Sequence, residues 1–231
     1  MNVRPLTQDT HRSEIGRVRS FRRYIATAFR KLGESMWTVL NNVGDAAMTL
    51  PIAAICAIWL GLSRRTMAWR WLRLLAVGMV LVGATKILYA GCGIEISAIG
   101  FRMISGHTML STTIWTVVIA LLCRCFGGGM RAGTIAGLAI GALTAVARVS
   151  DHAHTISEVV AGWLLGAAVA GLFVRTFMRS GTKMFRPDVA AGVLLLVASL
   201  AYGHHAPIQD AIDDYAPGLC AHVFGDAWAR L

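Results

Sequence analysis

The stretch WLRLLAVGMVLVGATKILY, from Trp71 to Tyr89, decides the fold class. Between Arg73 and Lys86 it holds no charged residue, and a segment of this length and character suits a helix that crosses a bilayer. A spanning segment must satisfy its backbone hydrogen bonds internally, which a helix does within one segment. Comparable apolar runs extend from Ala46 to Leu62, His107 to Leu122, Ala132 to Ala147, Ser157 to Phe173 and Val189 to Tyr202. Several lie near the lower spanning limit of about 17 residues, so their polar ends can border a funnel instead of lipid.

Composition agrees. The chain has 231 residues, 56% hydrophobic and only 15% charged, where soluble domains carry roughly a quarter charged residues. The charges cluster between the apolar runs, and no other stretch is large enough to build a core of its own. The expected architecture is an all-α, polytopic membrane helical bundle with about six transmembrane helices. Three regions follow: a basic amphipathic segment over 1–45, a transmembrane core over 46–203, and an acidic, outward-facing tail over 204–231. The first apolar run begins near Ala46, too deep for a cleavable signal peptide, and is expected to persist as a span.

Net charge is +10, from Lys+Arg 22 against Asp+Glu 12. Without interleaved aromatics or zinc-finger spacing, that excess does not indicate nucleic acid. It fits charge asymmetry between membrane faces and attraction to anionic phospholipids. Before Asn42, Phe21, Ile25, Phe29, Leu32, Met36, Trp37 and Leu40 recur at helical spacing among arginines, as in an interfacial helix. Asn41, Asn42, Gly44 and Asp45 read as a turn and cap ahead of the first span.

The loops alternate. Arg64, Arg65, Arg70 and Arg73, then Arg124 and Arg131, then Arg175, Arg179, Lys183 and Arg186 mark one face as cytoplasmic. Gly91 to Gly106, Arg148 to Ile156 and the tail form the opposite face. There a Cys92–Cys220 disulfide is chemically admissible.

Polar residues gather on that second face. Lys86 lies near the end of the second span. Arg102, Ser105, Gly106 and His107 precede the third, Arg148 closes the fourth, and Asp151, His152, His154 and Glu158 lead into the fifth. His154 and Glu158 are four apart and share a helix face, so the carboxylate can fix the imidazole. Ser105-Gly106-His107 sits at a helix start, where free N–H groups favour an anion. With Lys86 and Arg148 these residues describe a cradle for a tetrahedral anion between two histidines, one to attack phosphorus and one to protonate the departing oxygen.

These residues resemble the motifs of the type 2 phosphatidic acid phosphatase (PAP2) superfamily. Lys86 matches the lysine of its first motif. Ile104-Ser105-Gly106-His107 matches Pro-Ser-Gly-His, and Ala147-Arg148-x5-His154-x3-Glu158 matches Ser-Arg-x5-His-x3-Asp. The resemblance covers about Ala84 to Gly162. It implies that His154 is the nucleophile, Glu158 its orienting carboxylate, and His107 the general acid and then base. Lys86, Arg148, Ser105 and Gly106 would bind phosphate, with no metal or other cofactor. The implied substrates are phosphorylated membrane lipids: phosphatidic acid, phosphatidylglycerol phosphate, a polyprenyl diphosphate or a glycolipid phosphate. The implied location is a bacterial inner membrane with the site facing the periplasm. Gly93 and Ile94 stand where the family has Arg-Pro, and Arg102 is the expected replacement for that phosphate-binding charge.

Two other readings stand beside this one. A noncatalytic protein would use the same pocket to bind or transport anionic lipid. A zinc site would instead draw on His152, His154 and Glu158 with His107 or Asp151.

Overall fold

A computed structural model describes residues 37–204, together with 206, 212 and 214–218. The chain divides into two units, Met1–Val39 and Leu40–Leu231. In the first, residues 37–39 are helical, and residues 1–36 of the expected amphipathic segment lie outside the described residues. Most of the acidic tail, including Cys220, also lies outside them. Cys92 is disulfide-bonded.

In the second unit, residues 40–44 are helical and lead into six helices: α1 (Ala46–Ser63), α2 (Arg65–Cys92), α3 (Gly106–Cys125), α4 (Met130–Ser150), α5 (Ile156–Ser180) and α6 (Pro187–Ala201). The first five are long and apolar enough to cross a membrane, and α6 is a shorter apolar helix of 15 residues. The protein is thus an all-α, polytopic helical bundle. Asp45 caps α1 as expected, its side chain accepting from Ala47 N. The helices overrun the apolar runs. Helix α2 begins at Arg65, not Trp71, because Arg65, Arg70 and Arg73 are exposed and long basic stems can reach out of an apolar layer without ending the helix.

The basic turns meet at one end of the bundle. Arg64, the one residue between α1 and α2, donates from Nη1 to Ser180 O at 3.1 Å. Trp59 Nε1 donates to Phe185 O at 2.7 Å, and Phe185 N donates to Ser63 Oγ at 3.0 Å. Arg124 lies over the Phe177 ring at 5.8 Å. The other end therefore holds the start of α1 and the α2–α3 and α4–α5 loops.

Helix α3 occupies the centre, buried along most of its length. Its neighbours reach it through glycines. A Cβ on Gly137 of α4 would lie 2.2 Å from Thr116 Cα, and one on Gly133 2.6 Å from Ala120 Cα. From α5, a Cβ on Gly162 would lie 2.6 Å from Ser105 O, and one on Gly166 2.7 Å from Met109 O. Lipid tails are as apolar as leucine, so association in a membrane depends on such close backbone packing. Along α3 most of the buried hydroxyls are satisfied locally or across the seam: Thr112 Oγ1 donates to Thr108 O at 2.6 Å, and Ser111 pairs with Thr144 at 2.9 Å, whereas Thr116 Oγ1 has no partner among the described residues.

Gly137→Val is expected to force α3 and α4 apart and to lower stability by at least about 1–3 kcal/mol, the usual cost of overpacking. Leu143→Val, at a half-exposed position on the same helix, is expected to change little. Thermal unfolding in detergent micelles compares the two.

Candidate active site

The polar end of the bundle is organised by a carboxylate. The sequence Thr155-Ile156-Ser157-Glu158 forms a capping box, in which Thr155 caps the first turn of α5 and Glu158 reaches back to the Thr155 amide. Glu158 is fully buried. Its Oε2 accepts from Thr155 N at 3.1 Å and lies 2.7 Å from His154 Nδ1. Its Oε1 accepts from Arg102 N at 3.1 Å and Arg102 Nε at 3.0 Å. Its backbone carbonyl accepts from Ser105 N at 3.2 Å.

An ionised carboxylate only accepts, so His154 carries its proton on Nδ1 and presents Nε2 as the lone-pair nitrogen. The imidazole has little solvent exposure. Burial lowers the His154 pKa below the ordinary histidine value, and the hydrogen bond to Glu158 opposes that shift in part. Neutral imidazole is therefore favoured near pH 7.

The α4–α5 turn brings in Arg148. Its carbonyl accepts from Ala153 N at 3.1 Å and His154 N at 3.3 Å, which ties the end of α4 to the histidine. Among the described residues, Arg148 Nε is a buried donor with no hydrogen-bond partner. A donor in that state fits an oxyanion acceptor.

Helix α3 starts against the same turn. Ile104 N donates to Thr85 Oγ1 at 3.1 Å, a bond that proline at this position would lack. A Cβ on Gly106 would lie 4.0 Å from Lys86 Nζ, so the lysine ends beside the free N–H groups of the α3 amino terminus. Ser105 is fully buried and its hydroxyl pairs with Thr108 at 3.0 Å.

Lys86, Gly106, His107, Arg148 and His154 line one cavity of about 200 Å³. Its remaining wall is largely apolar, with Leu50, Met79, Val82 and Leu110. A polar cradle above an apolar trough can hold an anionic head and the start of a hydrocarbon chain.

Three expected site residues stand behind this wall. Glu158 supports His154, and Ser105 is turned toward Thr108. Arg102 is directed at Glu158 and lies 5.7 Å from the Tyr89 ring centre, so it braces the carboxylate instead of replacing the family's arginine in the cradle. Its hydrogen bond to Glu158 raises the guanidinium pKa. The expected arginine position is Gly93, the carboxyl-terminal cap of α2 at φ +65, a conformation that a side chain disfavours. Among the described residues, no three His, Cys, Asp or Glu side chains converge as metal ligands.

One cavity residue was read in sequence only as a helix cap. Asp45 lines the cavity, and its Oδ2 lies 3.5 Å from His107 Nε2. Its sequence signal was a lone carboxylate at the polar end of an uncharged span.

Residues 89–181 match the model of the PAP2 superfamily. The chain is 34% identical over 190 residues to an uncharacterized 22.5 kDa protein in the cps region of Klebsiella pneumoniae, covering 79% of this chain and 91% of that protein. No solved structure matches the chain.

Glu158→Gln keeps the side-chain length but removes the charge. It is expected to destabilise the fold by about 3 kcal/mol, as when one partner of a buried ion pair is lost. Because the carboxylate opposes the effect of burial, its removal should move the His154 titration to still lower pH. Histidine NMR titration and thermal unfolding read the two effects.

Proposed function

We propose that the chain, whose residues 89–181 match the PAP2 superfamily, is a metal-independent phosphatase acting on a membrane lipid, through a phosphohistidine at His154. The observation that carries this reading is the shared cavity wall of Lys86, His107, Arg148 and His154, with a buried Arg148 donor lacking a partner among the described residues. Many long apolar helices and a Klebsiella relative make it a bacterial multi-pass membrane protein.

In the first step, His154 Nε2 attacks phosphorus and the bond from phosphorus to the leaving oxygen breaks. His107 gives that oxygen its proton. In the second step, water attacks phosphorus and gives a proton to His107, and the phosphorus–nitrogen bond breaks with its electron pair returning to His154 Nε2. Inorganic phosphate leaves and both imidazoles return to their starting state. Charge growing on the equatorial oxygens is met by Lys86, Arg148 and the α3 amino-terminal amides, already in place before reaction. Glu158 holds His154 in the reactive tautomer, and Arg102 and Ser105 hold Glu158 and the α3 terminus.

The substrate class is a lipid phosphomonoester or diphosphate: phosphatidic acid, phosphatidylglycerol phosphate, a polyprenyl diphosphate or a glycolipid phosphate. The apolar trough beneath the cradle supports a lipid-linked phosphate over a free sugar phosphate. By the charge rule for loops, the cavity faces the periplasm of the inner membrane.

Phosphate release from a panel of these lipids, with chelator present, tests the proposal. Wild-type protein is expected to turn over at least one, and His154→Ala none. Binding of the lipids without phosphate release would instead favour a noncatalytic carrier. Rapid quenching with a 32P-labelled substrate should trap label on His154 and leave none on His154→Ala. The lowered His154 pKa gives the sign of the pH profile. The nucleophile must be neutral, so the acidic limb of kcat/KM should fall below the ordinary histidine pKa of about 6.5.

A further inference from the structure

We propose that Asp45 is a positioning residue for His107, the carboxylate that holds the imidazole protonating the leaving oxygen. The inference rests on the phosphatase reading above and adds a residue outside the matched motifs.

The segment before α1 is fastened to the site at successive residues. Asn41 Nδ2 donates to Asp151 Oδ2 in the α4–α5 turn. Trp115 Nε1 of α3 donates to Val43 O at 2.9 Å. Gly44 fits closely against α3 and α4, since a Cβ there would lie 2.7 Å from Thr144 Cγ2 and 3.4 Å from His107 O. These contacts place Asp45 beside His107.

The two oxygens of Asp45 do different work. Oδ1 accepts from Ala47 N at 2.8 Å and from Ala206 N at 3.2 Å, which meets the needs of a helix cap. Oδ2 faces His107 Nε2 at 3.5 Å. Capping alone is served equally well by asparagine or serine. A buried carboxylate is costly unless it meets positive charge or donors, and Asp45 is 6% exposed. His107 Nε2 is one such neighbour, and Arg148 adds a favourable field. Each of the two imidazoles thus has its own carboxylate, Glu158 for His154 and Asp45 for His107.

The balance of the first step is unchanged: the His107 proton goes to the leaving oxygen as the phosphorus–oxygen bond breaks. Asp45 transfers no proton. It aims the ring before transfer.

The test uses Asp45→Asn and Asp45→Ser, both of which retain a capping side chain. Two substrates are compared: p-nitrophenyl phosphate, whose leaving group departs readily without a proton, and dioctanoyl phosphatidic acid, whose alcohol needs one. The readout is kcat/KM, which reports steps up to departure of the leaving group. For phosphatidic acid the expected loss is on the order of 30- to 100-fold, within the range of general acid catalysis. For the aryl ester it is expected to be less than about 3-fold on the same grounds. In a His107→Ala background, Asp45→Asn should add no further loss. Equal losses on both substrates, an additive double mutant, or unfolding of both variants would overturn the Asp45 assignment and leave the phosphatase reading intact. A folded wild-type protein inert toward both substrates and the lipid panel would overturn the phosphatase reading, and this inference with it.

Discussion

The buried carboxylate of Glu158 is the constraint on which the rest of the site depends. Withdrawing a charge from water costs several kcal/mol unless donors replace the lost hydration. Here four donors do so: His154 Nδ1, Thr155 N, and the backbone and side chain of Arg102. They come from the α2–α3 loop and the α4–α5 turn, while the Glu158 carbonyl takes the Ser105 amide at the head of α3. One side chain thereby sets the tautomer of an imidazole, caps the start of α5 and fastens the α2–α3 loop. Glutamate can span the capping box and His154 together, which gives its extra methylene a structural purpose relative to the family's aspartate.

Seen this way, the departures from the family pattern form a set. Gly93 supplies a left-handed turn where an arginine was expected, and the chain then passes through Arg102 to Glu158. Ile104 supplies an amide proton to Thr85 that proline lacks. Ala147 replaces serine at a position fully enclosed by its neighbours. The positive charge of Arg102 supports the carboxylate of Glu158.

The helices were legible because lipid imposes a coarse and unforgiving rule on composition, and their ends were not. Arg65, Arg70 and Arg73 looked like loop residues, but long stems let charges leave the apolar layer while the backbone stays helical. The spacing from Arg148 to His154 to Glu158 could be read directly, because the three span the end of α4, the short turn after it and the start of α5. Asp45 with His107 could not, since that pairing depends on how the lead-in to α1 seats on α3. Arg102 was visible as a charge of the right sign, but its direction is fixed by Glu158, which is distant in sequence. The Thr155–Glu158 box was readable, yet the same glutamate also completed a His-x3-acid pattern, and the two roles proved to be simultaneous.

The glycine contacts divide the bundle mechanically. Helices α3, α4 and α5 touch backbone to backbone, so His107, Arg148 and His154 ride on a nearly rigid block. Helix α2 meets that block through side chains: a Cβ on Gly78 would find Val169 Cγ2 at 3.3 Å and Met109 Cε at 3.4 Å, both of which can yield. Lys86 therefore belongs to a compliant wall opposite a stiff one. That wall can adjust by movement of side chains, whereas the separation of the two imidazoles is set by backbone contact.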